Sequence, residues 1–168
     1  MDSLLAEVMR KLKEREDKCV DVSYNESLTP PSEKLFLSHG RVNLTNFTIG
    51  LLKELYSMNK ADNWVDWILK GLSYDVKFRF NVTDQMVNFI PRHMILDWPV
   101  LFVLNGDSPI IASYNKSITR TELAAFPDKS VLVKYYRQLI TDEGLEICNY
   151  KQIIIKNRTE ENCIWQEL

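Results

Sequence analysis

The sequence predicts an α+β fold: one domain spanning residues 1–168, with leading helices packed on one face of a curved, mostly antiparallel sheet. Three observations carry this prediction. Apolar residues recur at helical spacing, with capping residues in front of them, through much of the first 72 positions. The stretch "SYDVKFRFNV" (73–82) alternates without a fault, Tyr74, Val76, Phe78, Phe80 and Val82 opposing a polar row, which is the signature of a strand with one buried face. From there on, short apolar runs are separated by turn residues, the arrangement of successive antiparallel strands. At 45% hydrophobic and 26% charged, 168 residues have the composition and size of one ordinary globular core.

Taken in order, residues 3–17 form a helix capped by Asp2 or Ser3, with Leu5, Val8, Met9 and Leu12 as an apolar stripe among mixed charges. Packing of that stripe on the chain's own sheet is the ordinary expectation. The sharper alternative is a docking or homo-oligomerisation helix, although the segment is too short for a coiled coil. "CVDVSY" reads as a short strand and residues 25–33, with Pro30 and Pro31, as a peripheral loop. "KLFLSHGRVNL" predicts a hairpin turning at His39-Gly40. Phe47, Leu51, Leu55 and Met58 predict a helix over 46–58 with Thr45 as cap, and "NWVDWILKG" a second, started by Asp62 or Asn63 and stopped by Gly71.

The remainder is expected to be mostly sheet. "QMVNFI" and "PVLFVL" read as strands, and Asn105-Gly106 before "IIASY" is the strongest hairpin signal in the chain. Thr119 and Glu122 form the capping box of a short helix ended by Pro127. "SVLVKYYRQLI", the turn "TDEG" and "LEICNYKQIIIK" predict a long closing hairpin. This order of elements is similar to that of the cone-shaped nuclear transport factor 2 type of fold, a likeness of pattern alone.

Net charge is -2, so no global field draws the chain to nucleic acid or anionic lipid. The longest apolar run, "VLFVL", is strand-sized, which argues against membrane insertion. Residues 1–17 lack the apolar core and cleavage site of a signal peptide, and the three cysteines, Cys19, Cys148 and Cys163, are odd in number and far apart. Reduced thiols in a cytoplasmic or nuclear protein follow as the expectation. Against it stand six Asn-x-Ser/Thr triplets, at Asn25, Asn43, Asn46, Asn81, Asn115 and Asn157. Turn chemistry accounts for them, while a glycosylated, secreted or surface-exposed ectodomain, viral or otherwise, is the rival.

Catalytic signals are sparse. His39 and His93 are the only histidines and both fall in predicted turns or loops, and no G-x-S-x-G surrounds any serine. The five Cys and His side chains lie scattered, without the paired spacing of a zinc site. Five glycines, none near another, leave no phosphate-binding loop, and no cofactor is predicted. Asp97 beside Trp98 is the best candidate for a buried acid in a pocket enzyme. Tyr135 and Tyr136 among Lys134, Arg137, Lys151, Lys156 and Arg158 could stack on single-stranded nucleic acid. The balanced net charge disfavours that reading.

The expected function is therefore a non-enzymatic protein–protein interaction module, a subunit or adaptor of a larger intracellular complex. Asp75, Lys77 and Arg79 are the candidate partner-binding row, because a buried face tolerates such charges only in pairs. Trp64 and Trp67, one helical turn apart, are a candidate anchor or, more simply, core.

Overall fold

The computed structural model describes residues 1–167, and the chain divides into two compact units, Met1–Asn81 and Val82–Leu168. It is α+β, helices leading and strands forming the core, but the strand pairing is mostly parallel.

The first unit opens with α1 (Asp2–Asp17), whose amino-terminal residue is backed by Met1 with no side-chain cap, so neither Asp2 nor Ser3 takes the expected capping role. Next come β1 (Cys19–Ser23), the single turn α2 (Leu35–Ser38) and β2 (Arg41–Thr45). The hairpin expected at His39-Gly40 is absent because residues 35–38 coil instead, and β2 pairs in parallel with β1, Val20 beside Val42. Parallel neighbours need a crossover, which the loop and α2 supply.

Helix α3 (Ile49–Tyr56) starts at Thr48, whose hydroxyl accepts from Leu51 N at 3.1 Å, three residues later than the spacing suggested. Asp62 caps α4 (Asn63–Ser73) by accepting from Trp64 N and Val65 N. Gly71 does not stop α4. It sits inside the helix because a Cβ there would come within 2.5 Å of the Phe78 ring, so glycine is what lets α4 lie against the sheet.

The strand β3 (Lys77–Val82) pairs in parallel with β2. Val22, Val42, Leu44, Phe78 and Phe80 face inward and are buried, meeting Phe36, Trp64 and Trp67. Ring centroids lie 4.9 Å apart for Phe36–Trp67 and 5.7 Å for Trp67–Phe78, and Phe47 stacks on Phe80 at 4.5 Å. Trp64 also donates its indole N–H to Asn25 O and Leu28 O, which ties the supposedly peripheral loop 25–33 to α4.

In the second unit, "QMVNFI" is not a strand. It contains the helical turn α5 (Asp84–Val87), followed by α6 (Arg92–Asp97). The predicted hairpin does form: β4 (Val100–Leu104) and β5 (Ser108–Ile111) run antiparallel around Asn105 and Gly106, both at positive φ. After β6 (Ser117–Ile118), Thr119 caps α7 (Arg120–Ala125) as its box predicted. The closing hairpin is overturned. Between β7 (Val131–Tyr135) with β8 (Leu139–Ile140) and β9 (Ile154–Arg158) lies α8 (Asp142–Lys151). "TDEG" starts this helix: Thr141 accepts from Gly144 N at 3.0 Å, and Asp142 and Glu143 complement the helix dipole. With a helix between them, β7 and β9 pair in parallel, as do β5 with β7 and β6 with β8. The antiparallel sheet, and with it the nuclear transport factor 2 likeness, gives way to βαβ crossovers. A single 3-10 turn, Ile164–Glu167, follows.

Candidate functional site

The first helix is where the structure departs most from packing economy. None of the residues of α1 is buried. Leu4, Leu5, Val8, Met9 and Leu12 are 45 to 68% exposed, so the stripe expected to pack on the chain's own sheet is open instead. The reason lies at its far end. Arg15 Nε donates to Phe36 O at 2.7 Å and its terminal nitrogen to Tyr74 O at 2.6 Å, while Gly40 N donates to Arg15 O at 2.7 Å. Gly40 permits this seating, since a Cβ there would lie 2.8 Å from Arg15 O and Glu16 Cα. The last turn of α1 is thus fixed while the turns before it carry their apolar side chains in water. Contiguous apolar surface of this kind marks interaction sites.

The charged row of β3 is partly as expected. Lys77 is exposed and Arg79 half-buried, on the same face. Asp75 is not with them: it takes a left-handed turn between α4 and β3, φ 59°, and the alternation becomes a true strand only from Lys77. The strand register supplies a different acid. Arg41 lies beside Lys77, and Asp21, Asn43 and Arg79 form one cross-strand row in which Asn43 donates to Asp21 at 2.9 Å. Parallel strands are usually covered on both faces, so a polar, accessible face on parallel β1–β3 is uncommon. Trp64 and Trp67 are core, 4 and 3% exposed, and not an exposed anchor.

Pattern reading missed a third feature. Arg92 and Arg158 are each 4% exposed, and neither has a carboxylate partner in an ion pair among the described residues. Both spend their charge on main-chain carbonyls: Arg92 donates to Glu161 O at 2.6 Å and Ser113 O at 2.7 Å, Arg158 to Asn162 O and Val87 O. Each Nε–H lacks a partner. Arg92 also lies over the Tyr135 ring, 5.1 Å from its centroid. Burial, and then the Arg92 charge, pull Arg158 down to about 10, which leaves it cationic at neutral pH; burial lowers Arg92 as well. Two buried cations bind four carbonyls and so hold the segments around 87, 113 and 159–163. No local periodicity announces such a role.

The other chemical candidates disperse. Asp97 is exposed at the end of α6. His93 is exposed, and His39 is half-buried beside the Ser38 hydroxyl. Four of the basic residues of the nucleic-acid reading are engaged elsewhere, Lys134 with Asn157, Lys151 with the Ala124 and Phe126 carbonyls, Lys156 with Asp84, and Arg158 in the interior, while Tyr136 stays exposed with Arg137 over its ring. A groove in the first unit, lined by Pro30, Pro31, Glu33, Asp66 and Trp67 among others, has no histidine or cysteine in its wall. Glu33 and Asp66 there are salt-bridged to Lys70. No group of three or more His, Cys, Asp or Glu able to hold a metal ion occurs among the described residues. The three cysteines are free thiols, Cys19 exposed and the other two buried.

A family model described as "PDU_like: Putative propanediol utilisation" matches residues 3–154, nearly the whole chain. The protein belongs to that family. The match includes α1 from its second residue. No curated protein matches the chain, and no solved structure does.

Proposed function

We propose that the protein is a non-enzymatic interaction module, a subunit or adaptor of an intracellular assembly that serves propanediol utilisation, and that α1 is its docking element. The exposed stripe of α1 carries the reading: five large apolar side chains stay in water on a helix whose base is hydrogen-bonded in place. A helix presenting apolar residues at i, i+3, i+4 and i+7 fits a complementary helix or groove. The family description supports that choice of process. Asn43, Asn81 and Asn157 lie in strands rather than turns, but five of the six triplet asparagines use their side chains in hydrogen bonds within the chain, which supports a structural role over glycosylation and hence the intracellular reading. Among the described residues, no helix is long and apolar enough to cross a membrane.

The test is a chromosomal Leu5→Glu with Met9→Glu variant in the native host. Growth on propanediol should fall while growth on an unrelated carbon source stays normal, at an unchanged cellular level of the protein. Normal growth on propanediol for this variant, when complete deletion of the gene impairs it, would remove α1 from the function. Normal growth after deletion would remove the process itself.

A further inference from the structure

We propose that the free edge of β1 is a docking site separate from α1, taking an extended peptide of a partner protein as an added strand, with a basic residue of that peptide between two apolar ones. β1 is the outer strand of its sheet, with β2 on one side and no strand on the other among the described residues. Arg41 N donates to Lys18 O, and Tyr24 N donates to Thr45 O, at the two ends of the parallel pairing. By alternation, even-numbered residues from 18 to 24 bond to β2, while Cys19, Asp21 and Ser23 turn their N–H and C=O groups outward. No main-chain hydrogen bond reaches those outward groups from elsewhere among the described residues.

Many sheets have an open edge, and most blunt it with proline, a bulge or a covering segment. β1 has no proline, and its register runs from Cys19 beside Arg41 to Ser23 beside Thr45 without a bulge. In place of a cover it has a groove of about 320 Å³ that is lined by each of residues 20–23. Successive residues of a strand point to opposite faces, so a groove that touches four in a row follows the edge and not a face. Its far wall is apolar, built from Leu28, Pro31, Leu35 and Trp64. That wall is fixed, because the Trp64 indole N–H donates to the carbonyls of Asn25 and Leu28, yet Leu28 itself is 62% exposed.

These features select the occupant. An extended chain has main-chain donors and acceptors to spare at the spacing of Cys19, Asp21 and Ser23, whereas a helix has used its own. Side chains of an added strand alternate as those of β1 do. The residue opposite Asp21 stands on the open face beside an exposed carboxylate, and its two neighbours, level with Val20 and Val22, turn toward the apolar wall. A cation suits the central position. Asp21 and Glu26 enter no ion pair among the described residues, and the Tyr24 phenol at the end of β1 is raised by burial and then by the charges of Asp62 and Glu26, so this end of the groove is acidic. The same carboxylate argues against a second copy. Two β1 edges related by a two-fold axis run antiparallel, and in the register that uses all three outward positions Asp21 meets Asp21.

The experiment is fluorescence anisotropy of a labelled peptide, Gly-Thr-Val-Lys-Val-Thr-Gly, with the full chain titrated to about 1 mM under reducing conditions. Wild type should bind it, and should bind the same peptide with glutamate in place of lysine at least tenfold more weakly. Asp21→Lys should reverse that preference, and Leu28→Glu should weaken binding of either peptide at least tenfold; both positions are exposed, and circular dichroism checks that the variants fold. Methylating alternate peptide amides in the frame that faces β1 should abolish binding, while the other frame should leave it. Leu5→Glu with Met9→Glu should bind like wild type, so this site stands or fails apart from the role of α1. No binding by wild type, binding indifferent to methylation in both frames, or binding kept by both Asp21→Lys and Leu28→Glu would overturn the added strand. Wild-type dimers that form without peptide and are strengthened by Asp21→Ser would put a second copy on the edge and overturn it equally.

Discussion

Helix α1 and the Arg92–Arg158 pair invert the usual partition in opposite senses. One holds Leu5, Val8, Met9 and Leu12 in water, and the other holds two guanidinium groups inside. The difference lies in what each satisfies. Each arginine meets main-chain carbonyls, from loop residues and from the last residue of α5, so most of the cost of its burial is offset within the chain although its Nε–H has no partner. The apolar side chains of α1 find no such compensation, since the hydrogen bonds that seat the helix come from Arg15 and the adjoining turn while these side chains stay largely exposed. An unsatisfied surface therefore points outward to a partner, while an unusual but largely compensated interior points to architecture.

Breaking the interior half should have the largest effect. Arg158→Ala removes two charge-assisted hydrogen bonds and leaves the Val87 and Asn162 carbonyls with the main-chain N–H donors of Ile90 and Arg92, a loss of about 3 to 5 kcal/mol. Arg92→Ala should act in the same direction. Because Arg92 disfavours the charge on Arg158, each single variant also relieves that repulsion, so the double variant should lose more than the sum of the two, measured by urea unfolding. Strict additivity would show that the two guanidinium groups do not sense each other.

An apolar interior position sharpens the contrast. Trp67→Ala should cost about 3 kcal/mol, the low end for a buried aromatic, because the indole N–H is buried without a partner and leaves with the ring. Trp67→Phe keeps packing against Phe36 and Phe78 while removing that donor, and should cost clearly less. Equal losses for the two would mean that the N–H has a partner after all. On the exposed side, Leu5→Glu with Met9→Glu should change monomer stability by less than about 0.5 kcal/mol at low protein concentration.

Much of this was legible in local chemistry, and the rest had a reason not to be. Thr119, Asp62 and the Asn105-Gly106 turn announced their elements because capping and positive-φ turns are decided by a few adjacent residues. The direction of strand pairing was not announced. A period of two records one buried face and says nothing of a neighbour's orientation, and "TDEG" serves a turn as well as the helix cap it became. The stripe of α1 was visible, but the same spacing suits a helix packed at home and one packed on a partner. Of the candidate row, Lys77 and Arg79 kept their common face, while Asp75 was lost to a left-handed turn that follows the end of α4. Arg92 and Arg158 had no local signal, because the carbonyls they hold come from distant parts of the chain.

The smallest effect is expected on the open face of β1–β3, and it separates a charged surface from an apolar one. Lys77 is exposed and lies beside Arg41 in the register, so the wild type places two cations next to each other. Lys77→Glu turns that neighbour pair into an attractive one, and cross-strand pairs of this type are worth about 0.2 to 1 kcal/mol. Exposure and screening reduce the gain, so the change should lie within about 0.5 kcal/mol, on the stabilising side at low salt and vanishing as salt is added. Thermal unfolding at two salt concentrations measures it. A loss above 1 kcal/mol would mean that Lys77 has a partner the face does not display. A null effect at every salt concentration would leave Arg41 and Lys77 too well solvated to sense each other. A face that tolerates charge reversal is adequately served by water, which is the condition α1, with its apolar stripe, does not meet.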